Sequence, residues 1–311
     1  METAIATITT FLAASVRMAA PLTIAGIGEA CSERTGVINI GLEAIMLLGA
    51  FCGFMVTFWT ASSGLGMLAG AGGGMLVALL HGVLSVKCRA NQNIVGLALN
   101  FLVLGLTSFL FLKAFGQSTV LPTCATVPTR AIPLLSRLPI LGKAIFNQNI
   151  FVYIMLILVV GVSALFYKTE WGVNMTAVGE HPRAADTAGL NVFRVRYMAC
   201  ALNGLLGGLA GTYVTLAQLG FFMEDVTAGK GYMALVAVIL GRRDPLRIML
   251  ASLLIGFAEA MQFQLQTMGI PVPSQVFSTI PYVAAVFALL FSIGKSRDPA
   301  ALGVPYERAR R

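Results

Sequence analysis

The chain of 311 residues, with a net charge of +8, is too apolar and too weakly charged to fold as a soluble protein. Hydrophobic residues make up 57% of it, charged residues make up 11%, and the mean hydropathy is +0.84. A soluble globule cannot cover this much apolar surface with so few charges. The same composition excludes a disordered chain, a collagen and a secreted disulfide scaffold. We therefore predict an all-α polytopic membrane protein.

Eight apolar runs are long enough to cross a bilayer, which takes about twenty mostly apolar residues. These runs are residues 5–29, 37–58, 65–86, 94–115, 148–168, 197–219, 246–268 and 276–294. A shorter run at 231–241 is bracketed by Gly229, Gly231 and Gly241, so we expect a broken or tilted helix there. We predict about 8–10 transmembrane helices in a single transmembrane domain, residues 1–311.

Glycines at a spacing of four residues indicate where helices pack closely. They are Gly66, Gly70 and Gly74, Gly204 with Gly208, and Gly207 with Gly211. Small residues at this spacing let the backbones of two membrane helices approach each other. We therefore expect these glycines to lie at seams inside the helix bundle.

The positions of the basic residues predict how the chain is oriented. Fifteen of the 21 Lys and Arg fall in alternate connections and at the C-terminus, namely Arg34, Lys87, Arg89, Lys168, Arg183, Arg194, Arg196, Arg242, Arg243, Arg247, Lys295, Arg297, Arg308, Arg310 and Arg311. The opposite side has Arg130, Arg137, Lys143 and Lys230. Because cytoplasmic connections are rich in Lys and Arg, we expect nine crossings with the N-terminus outside and the C-terminus in the cytoplasm. The positive charge then reports orientation and not nucleic-acid binding.

The usual sequence signatures of catalysis and of metal binding are absent. The five cysteines have neither a CxxC nor a Cys/His spacing, and no HExxH, GxSxG or GxGxxG occurs. The Gly-Lys pairs at 229–230 and 294–295 do not belong to phosphate-binding loops. We expect no catalytic residue, no metal site and no cofactor on this chain. If it moves a solute with ATP, another chain hydrolyses the ATP.

Polar residues inside apolar runs are costly in hydrocarbon and therefore indicate function. A charged break at 29–36 precedes Asn39 and Glu43, which lie one helical turn apart and are expected on one face of the next span. The break itself is equally consistent with a simple cytoplasmic loop in which Glu33 and Arg34 are solvated. Asn39 and Glu43 are candidates for the solute pathway, and helix bridging remains the alternative.

Further polar side chains extend this candidate pathway. They are Asn100, Gln218, Glu259 and Gln262, and the last two lie three residues apart on one helical face. Amides and carboxylates without a basic cluster suit a neutral, hydrogen-bonding solute. Aromatic neighbours could stack on a base, and the candidates are Phe221, Phe222, Phe257 and Phe263.

The connection at about 169–196 contains a short exposed helix. Pro182 suits the first turn of a helix, Ala184 and Ala185 favour its continuation, and Gly189 suits its end. A stray interfacial helix is one interpretation. The other is a docking helix for a cytoplasmic partner, which would involve Gly179, Glu180, His181, Pro182, Arg183, Ala184, Ala185 and Gly189.

Over nearly its whole length the chain resembles the permease subunits of bacterial ABC importers in the ribose and branched-chain amino acid permease superfamily. The loop WGVNMTAVGEHPRAADTAGL resembles the family pattern G-x-N-x-x-A-x-G-x-x-x-x-A-A-x-x-A-G-I, with Leu190 where Ile is usual. The stretches NGLLGGLAG and GKGYMALVAVILGRRDPL also resemble family elements. Two others, ERTGVINIGLEAIMLLGAF and FAEAMQ, resemble the smaller permease of basic-membrane-protein-type nucleoside (guanosine) importers. Sugar permeases carry a GIDLSVGS-like stretch where this chain has GVINIGLE.

The resemblance implies a machine of several chains in the bacterial cytoplasmic membrane. It implies a second permease subunit in a heterodimer, a cytoplasmic ABC ATPase that binds ATP and Mg, and an extracellular or lipoprotein substrate-binding protein. The loop at 169–196 then carries the coupling helix that docks on the ATPase. The solute would be a nucleoside, passing through a chain surrounded by membrane lipid.

Three other interpretations stay open on the sequence. The same machine could carry a sugar or another small polar metabolite. The chain could also be a stand-alone secondary transporter or channel, with Glu29, Glu43 or Glu259 as proton or ion sites. An integral-membrane enzyme is the most distant alternative, since nothing in the sequence brings a nucleophile together with a base.

Overall fold

Long apolar helices account for most of the computed structural model, which describes residues 2–116, 121–132, 141–268, 272–292 and 298–308. Its first helices are α1 (Glu2–Arg34), α2 (Leu42–Thr60), α3 (Ser63–Gly82) and α4 (Gln92–Phe115). A short strand, β1 (Thr129–Ala131), pairs antiparallel with β2 (Asn147–Asn149), and α5 (Leu141–Phe146) precedes β2.

The second half of the chain has the same helical character. Its helices are α6 (Ile150–Lys168), α7 (Glu170–Glu180), α8 (Pro182–Thr187), α9 (Val192–Tyr213), α10 (Lys230–Leu240), α11 (Pro245–Thr267), α12 (Ser274–Ser278) and α13 (Ile280–Ser292). Turns of π-helix extend α3 through Lys87 and α9 through Leu219. The all-α polytopic fold predicted from the composition is confirmed.

Seven helices in the described part of the chain are long and apolar enough to cross a membrane. They correspond to the first seven of the predicted runs. The run at 231–241 forms the short helix α10, as expected for a broken or tilted helix, and its part in the nine crossings stays a prediction. The run at 276–294 forms α12 and α13 instead of one long helix, and residues 293–294 lie outside the described residues.

The predicted break between the first two spans begins later than expected. α1 continues to Arg34, so Glu29 and Glu33 belong to the helix and are buried. The helix continues because both carboxylates have partners: Glu29 accepts from Asn203, and Glu33 pairs with Arg243. The interpretation of Glu33 as part of a solvated loop is therefore wrong.

The start of the second span also differs from the prediction. α2 begins at Leu42, so Asn39 lies in the turn before the helix and does not share a helical face with Glu43. Asn39 Oδ1 accepts a hydrogen bond from Gly41 N at 2.9 Å. Such a side-chain bond two residues ahead stabilises a turn in competition with the helix.

Glycine contacts join α2, α3 and α9 at the centre of the bundle. A Cβ atom added at Gly74 would lie 2.5 Å from Gly208 Cα, so the two backbones touch. Gly49 on α2 also lies directly against Gly208. This confirms the seams predicted from the glycine spacing, and close backbone contact compensates for the absence of a hydrophobic driving force in lipid.

Basic residues that were predicted to be cytoplasmic lie together at one end of the bundle. Arg34 donates to Arg243 O, Arg243 pairs with Glu33, and Arg196 donates to Thr35 O. Which side of the membrane this end faces stays a prediction, and we call it the basic end. The predicted charges Arg137, Lys295, Arg297, Arg310 and Arg311, and the side chain of Lys143, lie outside the described residues.

Candidate functional site

Helix α10 begins in the middle of the bundle and not at its surface. Its 11 residues span about 16 Å, roughly half of a hydrocarbon core of about 30 Å. Its C-terminal end is followed by Arg243, which pairs with Glu33 at the basic end. The N-terminus of α10 therefore lies about halfway through the membrane, at a depth where unpaired backbone groups are costly.

The carboxylate of Glu43 satisfies the N-terminus of α10. Its Oε2 accepts from Gly231 N at 2.6 Å, and its Oε1 accepts from Gly229 N at 3.0 Å and from the hydroxyl of Thr227. A negative charge at a helix N-terminus is favourable because free N–H groups and the helix dipole face it. Glu43 thus holds the start of the half-helix in place.

The first residue of α10 forms an ion pair inside the bundle. Lys230 Nζ contacts Glu259 Oε1 on α11, and both side chains are only 16% exposed. The sequence grouped Lys230 with the charges of the side opposite the basic end, whereas the structure pairs it inside the bundle. The reason is that α10 starts at membrane depth, where an ammonium group needs a carboxylate partner.

A cavity of about 510 Å³ lies beside this ion pair. Its polar lining includes Lys230, Glu259, Gln218 and Gln262, with Ser278 and Tyr282 at the α12 and α13 side. Apolar and aromatic side chains complete it, namely Met18, Leu22, Val214, Leu219, Val226, Met233, Ile255 and Phe263. This volume and this mixture of many apolar and few polar groups are typical of a small-molecule site.

A second cavity continues from the first along α1 and α11. It measures about 430 Å³ and shares Met18 and Phe263 with the first. Thr7 and Thr10 near the start of α1 and Thr267 at the end of α11 also line it. These residues lie toward the end of the bundle opposite the basic end. The two cavities together therefore trace a route from that end to the membrane centre.

A proline in α1 explains the polar contacts on one wall of the cavity. Pro21 has no N–H, so it leaves the carbonyl of Arg17 without its usual helical donor. Tyr213 Oη donates to this carbonyl at 2.9 Å and Gln218 Nε2 donates to it at 3.3 Å. Gln218 therefore both lines the cavity and completes the hydrogen bonding of α1.

Asn39 belongs to a buried network behind the cavity. Its backbone N–H donates to Glu29 Oε1 at 2.8 Å, and Glu29 Oε2 accepts from Asn203 Nδ2 at 2.6 Å. Asn100 supports the same segment, since its Oδ1 accepts from Ala44 N at 2.9 Å and its Nδ2 donates to Ile40 O at 3.2 Å. These side chains satisfy backbone groups where the helix is interrupted.

The six candidate pathway residues therefore separate into two groups. Gln218, Glu259 and Gln262 line the cavity. The others, Asn39, Glu43 and Asn100, do not line it and instead hold the backbone around it. Of the aromatic candidates, Phe263 lines the cavity. Phe222 packs against Phe51 and Phe54, Phe257 against Phe11, and Phe221 bridges to Thr123.

Sequence reasoning missed Lys230, Ser278 and Tyr282 as cavity residues. Lys230 carried a usable signal, because it directly precedes a short apolar run and follows a glycine. A charge at the start of a half-length helix indicates a site at membrane depth. Ser278 and Tyr282 carried no comparable signal, since their place depends on the bend between α12 and α13.

The predicted short helix in the 169–196 connection is present as α8. Pro182 occupies its first turn, and Gly189 ends it with a φ of +93°. The backbone N–H of Leu190 donates to Ala185 O at 3.0 Å and that of Gly189 donates to Asp186 O at 3.1 Å. This pair of bonds is the Schellman motif, which requires a left-handed residue at the position of Gly189.

The candidate coupling residues differ in exposure. His181, Arg183, Ala184 and Gly189 are exposed, and Glu180 and Pro182 are half-buried. Ala185 and Gly179 are buried, and a side chain at Gly179 would collide with Arg34 O. The exposed face of α8 is therefore available to a partner, whereas Ala185 and Gly179 pack within this chain.

Comparison with known proteins places the chain in a family. The sequence profile described as the branched-chain amino acid transport system permease component matches residues 11–292. The chain is 34% identical to the guanosine ABC transporter permease protein NupQ of Bacillus subtilis, over 96% of each chain. It is 35% identical to the nucleoside ABC transporter permease protein NupC of Lactococcus lactis, over 93% of this chain and 94% of that one.

A third relative is named for a different solute. TsgC13 of Haloferax volcanii, named provisionally as a glucose ABC transporter permease protein, is 32% identical over 96% of this chain and 97% of its own. Two of these organisms also have a second, less similar permease: NupP of B. subtilis and NupB of L. lactis are each 24% identical, over 94% and 81% of this chain. Since the profile and these relatives cover nearly the whole chain, the protein belongs to the permease component family of branched-chain amino acid transport systems and is a multi-pass, non-enzymatic protein of the cytoplasmic membrane.

Proposed function

We propose that this chain is a permease subunit of an ATP-driven importer that passes nucleosides into the cytoplasm. The observation that carries the proposal is the cavity beside Lys230 and Glu259, at the point where a half-length helix begins. Interrupted helices at the membrane centre are where transporters form solute sites, because the helix ends offer donors and acceptors there. The names of NupQ and NupC agree with this cargo.

The charge and the lining of the cavity favour a neutral solute with an aromatic base. Lys230 and Glu259 neutralise each other, so the cavity offers donors and acceptors without net charge. The amides of Gln218 and Gln262 add hydrogen-bonding groups, and Phe263 adds an aromatic ring. A nucleoside fits this chemistry, whereas a nucleotide would bring uncompensated phosphate charge into a site lined mainly by apolar groups.

Membership of the family supports further subunits beside this chain. A second permease chain is supported by the paired relatives NupQ with NupP and NupC with NupB. We propose that a cytoplasmic ATPase supplies the energy and binds the ATP and Mg. An extracellular or lipoprotein binding protein would deliver the solute to the end of the bundle opposite the basic end, where the second cavity begins.

The exposed face of α8 is the proposed docking site for the ATPase. The helix is too polar to lie in lipid, and its exposed face carries Arg183, Ala184 and Thr187. A short helix with defined ends offers a compact surface to a groove on another protein. Under this proposal, the basic end of the bundle lies in the cytoplasm.

The cargo is tested by uptake in cells that express the complete transporter. Labelled guanosine is supplied with an excess of adenosine, cytidine, glucose or guanosine monophosphate as competitor. We expect the nucleosides to compete and the monophosphate to compete at least tenfold less well, because of its charge. Competition by glucose alone would favour the sugar importer that the name of TsgC13 suggests.

The energy source separates an importer from a secondary transporter. Uptake should stop when the catalytic residues of the partner ATPase are substituted, and should persist in the presence of a protonophore while ATP is maintained. The opposite pattern would assign Glu29, Glu43 or Glu259 a role in proton or ion coupling.

Docking is tested by substitutions on the exposed face of α8. We expect Ala184→Trp and Arg183→Glu to lower recovery of the ATPase with the purified permease at least tenfold. Arg247→Glu is the matched control, because Arg247 is exposed at the same end of the bundle but on α11. Equal recovery of the ATPase with all three variants would remove α8 as the docking site.

A further inference from the structure

Residues Asp298–Arg308, which we name the C-terminal strap, cross the basic end of the bundle. The strap bonds to two separate parts of the chain: Ala301 N donates to Gly179 O at 2.9 Å, and Gly303 N donates to Gly36 O at 3.0 Å. Gly179 precedes α8, and Gly36 lies in the break between α1 and α2. The strap therefore connects the proposed coupling loop with the helix break.

The side chain of Arg196 on α9 forms a hydrogen bond with the strap. This side chain is fully buried near the start of α9, where Nε donates to Thr35 O at 3.1 Å and Nη1 donates to Val304 O at 3.3 Å. Among the described residues no carboxylate pairs with it. Carbonyl groups at the C-terminal end of α1 carry partial negative charge and thus partly compensate the guanidinium.

Side chains of the strap add further attachments. The Tyr306 side chain is 5% exposed and its ring lies 5.7 Å from the ring of Phe193, centroid to centroid. Arg308 pairs with Asp186 on α8 at 3.1 Å, and Asp298 pairs with Arg243 at 2.9 Å. The strap is thus joined to α8 by the Arg308–Asp186 ion pair and to the residue three positions before α8 by the backbone bond at Gly179. A displacement of α8 would therefore act directly on the strap.

The helix break leads from the strap to the cavity. Asn39, three residues after Gly36, donates to buried Glu29, and α2 then begins with Leu42 and Glu43. Glu43 caps α10, whose first residue is Lys230 in the cavity. A movement of the strap at Gly36 is thus transmitted over seven residues to the group that positions Lys230.

We infer that the C-terminal strap, held by Arg196, positions the helix break and carries the movement of the coupling loop to it. The inference rests on the proposed function, since it requires an ATPase docked at α8. It goes beyond that function by assigning the task to the strap and to a buried arginine, neither of which lines the cavity. Arg196 is a positioning residue in this scheme.

The test measures coupling in the assembled complex. Four forms are purified with the partner subunits: the full chain, a truncation after residue 297, Arg196→Gln and Ala301→Pro, which removes the N–H bonded to Gly179. Assembly, basal ATPase activity, its stimulation by nucleoside-loaded binding protein and nucleoside uptake are compared. We expect basal activity within twofold of the full chain, and at least a tenfold loss of stimulation and of uptake in all three altered forms.

Two further variants test whether the effect is specific to the bonds of Arg196. Arg196→Lys should recover part of the stimulation, because an ammonium group can still donate to Thr35 O. Arg89→Ala is the control: it breaks an exposed ion pair with Glu307 of the strap, and stimulation should stay within twofold.

Full stimulation in an assembled truncation or in Ala301→Pro would overturn the inference. Loss of assembly in the truncation and in Ala301→Pro would also overturn it, since the strap would then serve folding alone. If the full chain itself shows no nucleoside-stimulated ATPase activity, the proposed function fails, and this outcome is distinct from the two above.

Discussion

Lys230 and Glu259 form an ion pair between the first residue of a half-length helix and the middle of α11. The pair lies at membrane depth and both side chains are 16% exposed, so some of their surface faces the cavity. A charge in this position needs its partner, because an unpaired charge in the membrane is expensive. The pair therefore contributes to two properties at once, the stability of the bundle and the polarity of the cavity.

Removing one member of this pair should destabilise the protein more than removing both. Glu259→Gln leaves the ammonium of Lys230 uncompensated, and breaking a buried pair in this way costs about 3 kcal/mol. The double variant Lys230→Gln with Glu259→Gln leaves no charge, and its melting temperature should lie between that of the single variant and that of the native chain. Thermal unfolding in detergent measures the effect on stability.

Uptake measured on the same variants separates structure from solute contact. We expect both the single and the double variant to lose at least tenfold in uptake, because the double variant restores part of the stability but not the charged donor and the charged acceptor. Normal uptake by the double variant would exclude a direct role of the pair in the solute pathway.

Glu43 should act on stability through α10. In the native chain both carboxylate oxygens of Glu43 accept hydrogen bonds from N–H or O–H groups. In Glu43→Gln, an amide NH₂ replaces one of these oxygens, so at least one buried donor loses its acceptor. A loss of about 1–3 kcal/mol follows for such a group. Glu170→Gln is the matched control, because Glu170 is exposed and does not line the cavity. Reduced uptake at an unchanged melting temperature would contradict the supporting role and would assign the charge of Glu43 to the pathway itself.

Two glycines on the same helix should respond in opposite ways to alanine. A Cβ at Gly74 would lie 2.5 Å from Gly208 Cα, so Gly74→Ala forces α3 and α9 apart, which costs several kcal/mol, on the order of 3. A Cβ at Gly72 meets no atom within 4 Å, and Gly72→Ala should stabilise the helix by up to about 1 kcal/mol. Melting temperatures and yields of folded protein test the difference. Equal stability of both variants would show that the α3–α9 contact is not a tight seam.

Single cysteines test the orientation of the chain. In a chain whose five native cysteines are replaced by alanine and which is expressed without the ATPase that would cover α8, we expect Thr187→Cys to react with a membrane-impermeant maleimide only after the cells are opened. Arg130→Cys should react in intact cells. Both positions are exposed in the structure. Labelling of position 187 in intact cells would reverse the orientation predicted from the basic residues and would remove α8 as a cytoplasmic docking site.

Local signals in the sequence were sufficient for most of the architecture. Apolar runs of about twenty residues predicted the long helices, because only a helix satisfies its own backbone in hydrocarbon. Glycines four apart, such as Gly74, predicted the close helix contacts. Pro182 and Gly189 predicted both ends of α8, since each imposes its own backbone geometry without help from the rest of the chain.

The site itself depended on contacts between residues distant in sequence. Asn39 and Glu43 looked like neighbours on one helical face, but Asn39 lies in a turn and Glu43 caps α10, whose first residue follows it by 187 positions. Lys230 looked like a surface charge until the depth of α10 was known. Sequence alone determined which polar groups lie in an apolar environment. The partner of each group was decided only in the tertiary structure, because a buried polar group forms its hydrogen bond with whichever helix the fold brings within about 3 Å.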